Sequence, residues 1–331
     1  MKAVVATAYR PVDQLTVREM PIPRPGPGQL QVRVKAASIN PADVLLPRGD
    51  FRAMVELDFP HIPGNDFAGQ ITEVGLGTNG YAVGDEVFGV ALPRVMRSMA
   101  SPTRPSLGTG SLAEYVVVEA DTPLVAHRPA GLTAVDAAAL ATTGFTAVAV
   151  AAVADLRPGQ TALVVGASGG AGTAVVPLLA AAGAHVVATT TSAEAELLLK
   201  LGAAETVDYR AVDTVEEVLR RHPAGVDLVV NAVPSLESLA GLASTLIPGG
   251  LLISITGPVP DPAALGRADV RTRFVLDMEG VHGGMAKVAE LAAAGRLPAT
   301  ISRRYPLDQA VQALADFAGT HKTGKLVVVM D

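Results

Sequence analysis

The run Val164-Val165-Gly166-Ala167-Ser168-Gly169-Gly170-Ala171-Gly172 has residue types and spacing that prescribe a definite chemistry. It follows the apolar stretch Thr161-Ala162-Leu163-Val164-Val165 and opens an apolar segment of helical character. Glycines at such a junction let the backbone turn sharply and let a pyrophosphate approach the main chain. The helix start adds unpaired N–H groups and the positive end of the helix dipole. Ala167 stands where the strict fingerprint has its first glycine, so the match is Ala-x-Gly-x-x-Gly. Ser168, Gly169, Gly170, Ala171 and Gly172 are the expected phosphate contacts. A turn serving only helix–strand packing is the plainer alternative; its place between strand and helix favours a dinucleotide.

The end of the next strand discriminates between the nicotinamide coenzymes. NAD sites place an acidic residue there, about 20 residues on, for the ribose hydroxyls. Here Ala188-Thr189-Thr190-Thr191-Ser192 offers hydroxyls and no acid. Thr190, Thr191 and Ser192 would donate to a 2′-phosphate, and Tyr209-Arg210 would add a phenol and a cation. The expected cofactor is NADPH, with NADH possible. Ordinary strand-end polarity is the alternative for the threonines. Glu194 and Glu196, with no Lys or Arg between Ala188 and Leu199, count against the 2′-phosphate.

The elements that must position these residues are readable from periodicity. Strands alternating with helices from Ala130 to Leu276 imply a parallel sheet with right-handed crossovers. The strands are Thr161–Val165, His185–Thr189, Asp227–Asn231 and Leu251–Ile255; helical segments include Ala134–Ala154, Glu194–Leu201 and Val215–Arg221. Earlier in the chain, Leu30–Ala36 alternates apolar and polar residues, and Gly69–Gly75 and Gly84–Gly89 are short strands bounded by glycines. Short strands with dense turns suggest a small all-β, barrel-like domain. Arg94–Gly110 reads as a long loop, either a lid or partner surface or an inert excursion. Near the end, Met285–Ala294 and Leu307–Phe317 are helical and Lys325–Met330 is a closing strand, expected to rejoin the first domain. The expected division is 1–125 and 271–331 for one domain and 126–270 for the other.

With 331 residues, 49% of them hydrophobic and 18% charged, the chain can fill two cores. A net charge of −6 gives none of the basic footprint of a nucleic-acid binder. The absence of cysteine removes disulfides, thiolate nucleophiles and Cys-ligated metals, and the six histidines show no ligand-like spacing. Thr161–Ala193 lacks charged residues, yet its glycines read as strand, turn, helix and strand rather than a membrane span. Met1-Lys2-Ala3-Val4-Val5 lacks the pattern of a signal peptide, so a cytoplasmic location is expected, with no membrane or nucleic-acid partner.

Seven blocks in order resemble the zinc-independent quinone oxidoreductase branch of the medium-chain dehydrogenases/reductases. They are Ala36–Asp43, Pro63–Gly69, Gly84–Gly89, Gly110–Tyr115, Ala141–Ala147, the glycine turn and Thr323-Gly324-Lys325. The resemblance implies an α/β chain with a GroES-like β-barrel catalytic domain and a Rossmann doubly wound parallel sheet. It implies hydride transfer from NAD(P)H to a small quinone or enone, and a homodimer, for which Leu251–Pro260 could pair across an edge strand. Zinc-dependent relatives carry Cys where Asn40 stands and His-Glu where Asn65-Asp66 stand, so no metal is expected in the reaction.

By the same resemblance, Asn40 and Thr143 would be catalytic, beside the nicotinamide; a turn residue before Pro41 and a helix cap are the alternatives. Asp43 would hold its own loop. Ser254, Thr256, Gly257, Phe274 and Leu276 would face the ribose and carboxamide, although Phe274–Leu276 could be plain core, and Lys325 would join the cofactor set. Relatives often have tyrosines near the substrate. Here Leu45 and Phe51 stand there, so Leu45, Leu46, Phe51 and Met54 would line an apolar site without a phenolic donor. Three readings stay open: a quinone reductase, an enoyl or alkenal reductase, and a non-catalytic dinucleotide-binding scaffold.

Overall fold

The computed structural model describes residues 1–53, 56–91, 110–234, 239–319 and 321–330. Met54 and the Arg94–Gly110 loop, except Gly110 itself, lie outside the described residues. In chain order the first elements are β1 (Lys2–Val5), β2 (Thr16–Glu19), β3 (Gln29–Ser38), α1 (Pro41–Arg48) and β4 (Asp66–Val74). Then come β5 (Glu86–Val90), β6 (Tyr115–Glu119), β7 (Val125–His127) and α2 (Ala134–Ala154). An alternating series follows: β8 (Thr161–Val165), α3 (Gly170–Ala181), β9 (His185–Thr190), α4 (Ala195–Lys200), β10 (Glu205–Asp208) and α5 (Thr214–Arg221). It continues with β11 (Val226–Asn231), α6 (Leu239–Ser244), β12 (Leu246–Ser254) and β13 (Arg271–Phe274). The chain closes with α7 (Gly284–Ala293), β14 (Ile301–Pro306), α8 (Ala310–Gly319) and β15 (Lys325–Val329).

Two compact units result: Met1–Phe145 with Met278–Asp331, and Thr146–Asp277. The divisions fall inside α2 and just after β13, where the sequence suggests residues 125/126 and 270/271. The reason is local. Thr142 of α2 bonds Asp66 of the first unit, while β13 completes the parallel sheet of the second.

In the first unit β3 is the hub, antiparallel to β4, β6 and β15. Its middle keeps the period-2 pattern, with Val32 and Val34 buried and Arg33 and Lys35 exposed. From Ala36 to Ser38 every residue is buried, so the strand end carries its polar groups into the interior. The seven-stranded sheet runs β14-β15-β3-β4-β5-β7 with β6 against β3, over a core containing Leu30, Phe67, Ile71, Val116 and Leu314.

The second unit is a six-stranded, all-parallel sheet in the order β10-β9-β8-β11-β12-β13. Its strands are apolar on both faces because helices cover both; Leu163, Val187, Val229 and Leu252 are all inaccessible to solvent. Chain growth reverses between β8 and β11, which is the doubly wound switch point. β12 lies between β11 and β13, so Leu251–Pro260 does not supply the sheet edge expected from sequence; the short β13 does. One helix among the described residues, α2, is long and apolar enough to cross a membrane, and 67% of its most apolar window is buried within the protein.

Candidate functional site

The glycine turn lies at the carboxyl end of β8, where parallel sheets bind ligands. Gly166 has φ of +80°, and an added Cβ would lie 2.9 Å from Val233. Its N–H donates to Thr189 Oγ1 at 3.0 Å, which ties the turn to the end of β9. Gly169 is the N-cap of α3 and offers no side chain to cap it. The first-turn amides of an α-helix have no intrahelical acceptor, so Gly170, Ala171 and Gly172 present N–H groups suited to an anion. Gly172 is obligatory for packing: a Cβ there would sit 2.4 Å from Gly166 O and 2.5 Å from Ala167 Cα. Pro177 lies within α3, and the helix continues past it to Ala181.

Asn231, at the end of β11, fastens the neighbouring loop by donating from Nδ2 to Val233 O at 2.9 Å. Thr256 Oγ1 donates to the same carbonyl at 3.1 Å, and buried Ser254 accepts from Thr256 N at 3.3 Å. Ser254, Thr256 and Gly257 therefore lie at the same sheet end as the turn. Phe274 and Leu276 are 41% and 49% exposed, so the plain-core reading does not hold for them; only Val275 between them is buried.

The hydroxyls expected for a 2′-phosphate have another use. Thr191 Oγ1 donates to Glu194 Oε2 at 2.8 Å and Thr190 Oγ1 donates to it at 3.3 Å. Thr191 and Glu194 form a capping box, and the Glu194 carboxylate is buried beneath them. Ser192, Tyr209 and Arg210 remain exposed, with the Arg210 guanidinium 5.9 Å from the Tyr209 ring centroid. Asp208 accepts from Ser192 N at 2.9 Å and from Arg210 N at 2.9 Å, so this rim carries two carboxylates and one guanidinium.

In the first unit a charged network is sealed in the core. Asp66, at 0% exposure, opens β4. Its Oδ1 accepts from Thr142 N at 3.1 Å and from the Thr142 hydroxyl; its Oδ2 accepts from Ser38 Oγ at 2.6 Å. Lys325, 4% exposed at the start of β15, donates to Asp66 Oδ2 at 3.3 Å, Ile39 O at 2.7 Å and Asn40 Oδ1 at 2.6 Å. Its ammonium is thus spent inside this unit and not presented to a cofactor. An ammonium only donates, so it fixes which end of the Asn40 amide faces it. The other end, Nδ2, is buried without a hydrogen-bond partner. An orphaned buried donor costs about 1–3 kcal/mol and calls for an explanation. An acceptor from a bound molecule is the simplest one.

Asn40 stands at the N-cap position of α1, with Pro41 at the first helical position, so the reading of it as a turn residue before Pro41 also holds. Asp43 completes the box, accepting from Asn40 N at 2.7 Å and Gly64 N at 3.1 Å. Thr143 is not a cap: it lies inside α2, and its hydroxyl donates to Ala139 O at 2.7 Å, leaving only its lone pairs for an outside donor. Leu46 is buried, whereas Leu45 and Phe51 are half-buried.

Burial pushes the Asp43 carboxyl up to about 7; the Asn40 amide pulls it down, the Asp66 charge adds to the rise, and Lys325 and the Gly64 amide oppose it. The folded state therefore holds a proton that the unfolded chain releases from pH ~4 upward. Stability contributed by that proton is full below the unfolded value and is lost as pH rises toward 7. Asp43→Asn, which cannot ionise, is expected to flatten the decline in Tm between about pH 4 and 7. Parallel slopes for variant and wild type in calorimetry would refute this.

Among the described residues, one His/carboxylate group has ligand atoms within metal-binding reach: His185, Glu205 and His222. The histidines are scattered in sequence, and only the folded sheet brings these two together, so the spacing argument missed them.

Two family profiles match the chain: "Alcohol dehydrogenase GroES-like domain" over residues 26–129 and "Zinc-binding dehydrogenase" over residues 201–328. The first contains Asn40 and Asp66, the second Lys325; the glycine turn lies between them. The chain is 31% identical over 325 residues to a chloroplast envelope quinone oxidoreductase homolog of Arabidopsis thaliana, covering 94% of this chain and 92% of that protein. The chain belongs to the quinone oxidoreductase family of medium-chain dehydrogenases/reductases. A solved quinone oxidoreductase from Coxiella burnetii superposes with a TM-score of 0.84 and 25% identity, over 100% of this chain and 99% of that one. This agrees with a GroES-like domain joined to a Rossmann-type sheet. The chain is also 33% identical over 318 residues to phthioceranic/hydroxyphthioceranic acid synthase of Mycobacterium tuberculosis, covering 92% of this chain but 14% of that synthase. The chain thus spans most of the length of the plant relative and only a small part of that of the synthase.

Proposed function

We propose that this chain is a zinc-independent NAD(P)H-dependent reductase of quinones or related conjugated carbonyls. The observation that carries the reading is the glycine-rich start of α3 at the switch point of a 3-2-1-4-5-6 parallel sheet. The residues fit a dinucleotide: Gly166 and Gly172 keep Cβ atoms out of the turn, and the α3 amides suit a diphosphate. A bound nicotinamide supplies the hydride. Asn40 Nδ2 donates to the substrate oxygen on which negative charge develops, and Lys325 holds the amide in that orientation. Thr143 accepts a hydrogen bond, since its own proton is committed to Ala139. Leu45 and Phe51 offer no phenolic proton, so solvent or the ribose protonates the product, which suits quinones and enones.

The residues do not fit a catalytic zinc. Asn40 and Asn65 are poor ligands, and both Asp66 oxygens are engaged by Ser38, Thr142 and Lys325. The Lys325 ammonium already places a cation between Asn40 and Asp66. A homodimer in the manner of the family is part of the proposal, testable by light scattering.

NADPH is the proposed donor, through Ser192, Tyr209 and Arg210. Glu194 favours NADH as a second reading, because its carboxylate binds the Thr190 and Thr191 hydroxyls and repels a 2′-phosphate. Glu194→Gln keeps a residue type suited to the capping box. It is expected to raise the NADPH/NADH affinity ratio roughly tenfold, about 1.4 kcal/mol. An unchanged ratio in fluorescence titration would place the 2′-phosphate elsewhere. The activity itself is tested by steady-state turnover of NADPH and NADH with 1,4-benzoquinone, trans-2-alkenals and an enoyl thioester. Preference for the last two would make the chain a C=C reductase. No oxidation with any acceptor would leave a dinucleotide-binding scaffold.

A further inference from the structure

We propose that His185, Glu205 and His222 form a site for one divalent transition-metal ion, Zn²⁺ or a chemical analogue. It lies at the sheet end opposite the glycine turn and has no part in hydride transfer. His185 and Glu205 are the first residues of the neighbouring parallel strands β9 and β10, and His222 is the C-cap of α5. Their ligand atoms all lie within 4.8 Å of one another.

His222 Nε2 is buried, lacks any hydrogen-bond partner, and lies 3.2 Å from Glu205 Oε1. Around a tetrahedral zinc with bonds near 2.0–2.1 Å, ligand atoms sit about 3.3 Å apart, so this pair already has the spacing. His185 Nε2 is closer, 2.6 Å from the same oxygen, in a hydrogen bond that the ion would replace. The His185 side chain is 40% exposed and can open by roughly the 0.7 Å that this spacing requires. Its Nε2 then gives up its proton: a neutral ring becomes the Nδ1–H tautomer, and an imidazolium releases one proton to solvent.

The surroundings favour this donor set. Arg221 Nη1 takes Glu205 Oε2 at 3.2 Å, orienting the carboxylate and leaving Oε1 for the ion. Arg221 is itself held by Thr206 O at 3.0 Å and by Glu217 Oε1 at 2.7 Å, so its charge is compensated. Two imidazoles and a carboxylate select zinc, cobalt or nickel over calcium or magnesium. The exposed side of His185 leaves the fourth position to water. An ion there would cross-link β9, β10 and α5.

The test uses the full chain after chelation. Zn²⁺ titration by calorimetry is expected to show one equivalent bound at micromolar concentrations, and Co²⁺ to show the visible absorption of four-coordinate cobalt. His222→Ala and Glu205→Gln should each raise Kd at least tenfold, while His127→Gln, remote in sequence and in the other unit, should not change it. Zn²⁺ should also raise the Tm of wild type and not of Glu205→Gln. If circular dichroism shows His222→Ala unfolded, His185→Gln at the exposed ring carries the same comparison. Binding only at millimolar metal, or binding unaltered by these variants, overturns the site. Either result leaves the reductase reading standing, because the two sites use different residues.

Discussion

Lys325→Met is expected to cost about 3–5 kcal/mol of stability, although the substitution keeps most of the side chain's volume. The ammonium it removes is the only cation bonded to Asp66 among the described residues, and Asp66 is at 0% exposure. Ser38 and Thr142 would still donate to that carboxylate, but its charge would be uncompensated in the core. Ile39 O and Asn40 Oδ1 would also lose a donor. The double variant Asp66→Asn/Lys325→Met is expected to recover part of the loss, since it leaves neither charge stranded. In the single variant nothing forces Asn40 Oδ1 inward, so the amide can turn and withdraw its Nδ2 donor. The catalytic consequence is a lower kcat, by roughly tenfold or more, with KM less affected. Urea denaturation and steady-state kinetics on the same samples separate the two effects. A single variant within about 1 kcal/mol of wild type would contradict the reading of this pair as a buried ion pair.

Gly172→Ala is expected to remove dinucleotide binding, raising Kd for NADPH and NADH at least a hundredfold. A methyl group there meets Gly166 O at 2.4 Å and Ala167 Cα at 2.5 Å, both of them backbone atoms with no flexible end to swing away. Either α3 slides outward along its first turn or the Gly166 turn opens, and both displace the amides from a shared anion. The overpacking should also cost about 1–3 kcal/mol in the second unit. Gly169→Ala provides the contrast: its Cβ would meet Gly166 O at 3.3 Å, a tight contact without overlap, so it should cost less stability than Gly172→Ala. Equal Tm values for wild type and Gly172→Ala, with binding retained, would remove the glycine turn as the basis of the proposed activity.

Much of this was legible along the chain because it depends on short-range patterns. The helix Ala134–Ala154 and the strand Thr161–Val165 have the limits that periodicity suggests, since buried alanine-rich and valine-rich runs have few alternatives. The turn could be read because four glycines in seven residues between strand and helix have a backbone meaning of their own. The Thr191/Glu194 capping box was also local: Thr191-Ser192-Ala193-Glu194 is the T-x-x-E pattern, and reading it would have withdrawn those hydroxyls from the cofactor. The short strands β13 and β14 were not legible, because four to six residues rich in arginine carry little apolar alternation.

From its residues alone, then, the chain determined its α/β class, the place of the nucleotide turn and the lack of thiol ligands. Each follows from residue identity or near-neighbour spacing. Tertiary structure decided the partnerships: Lys325 against Asn40, 285 positions apart, and His185 and His222 against the one carboxylate of Glu205. Such pairs leave no periodic trace, because a buried charge or lone pair acquires its meaning only from whatever the fold places within three or four ångströms of it.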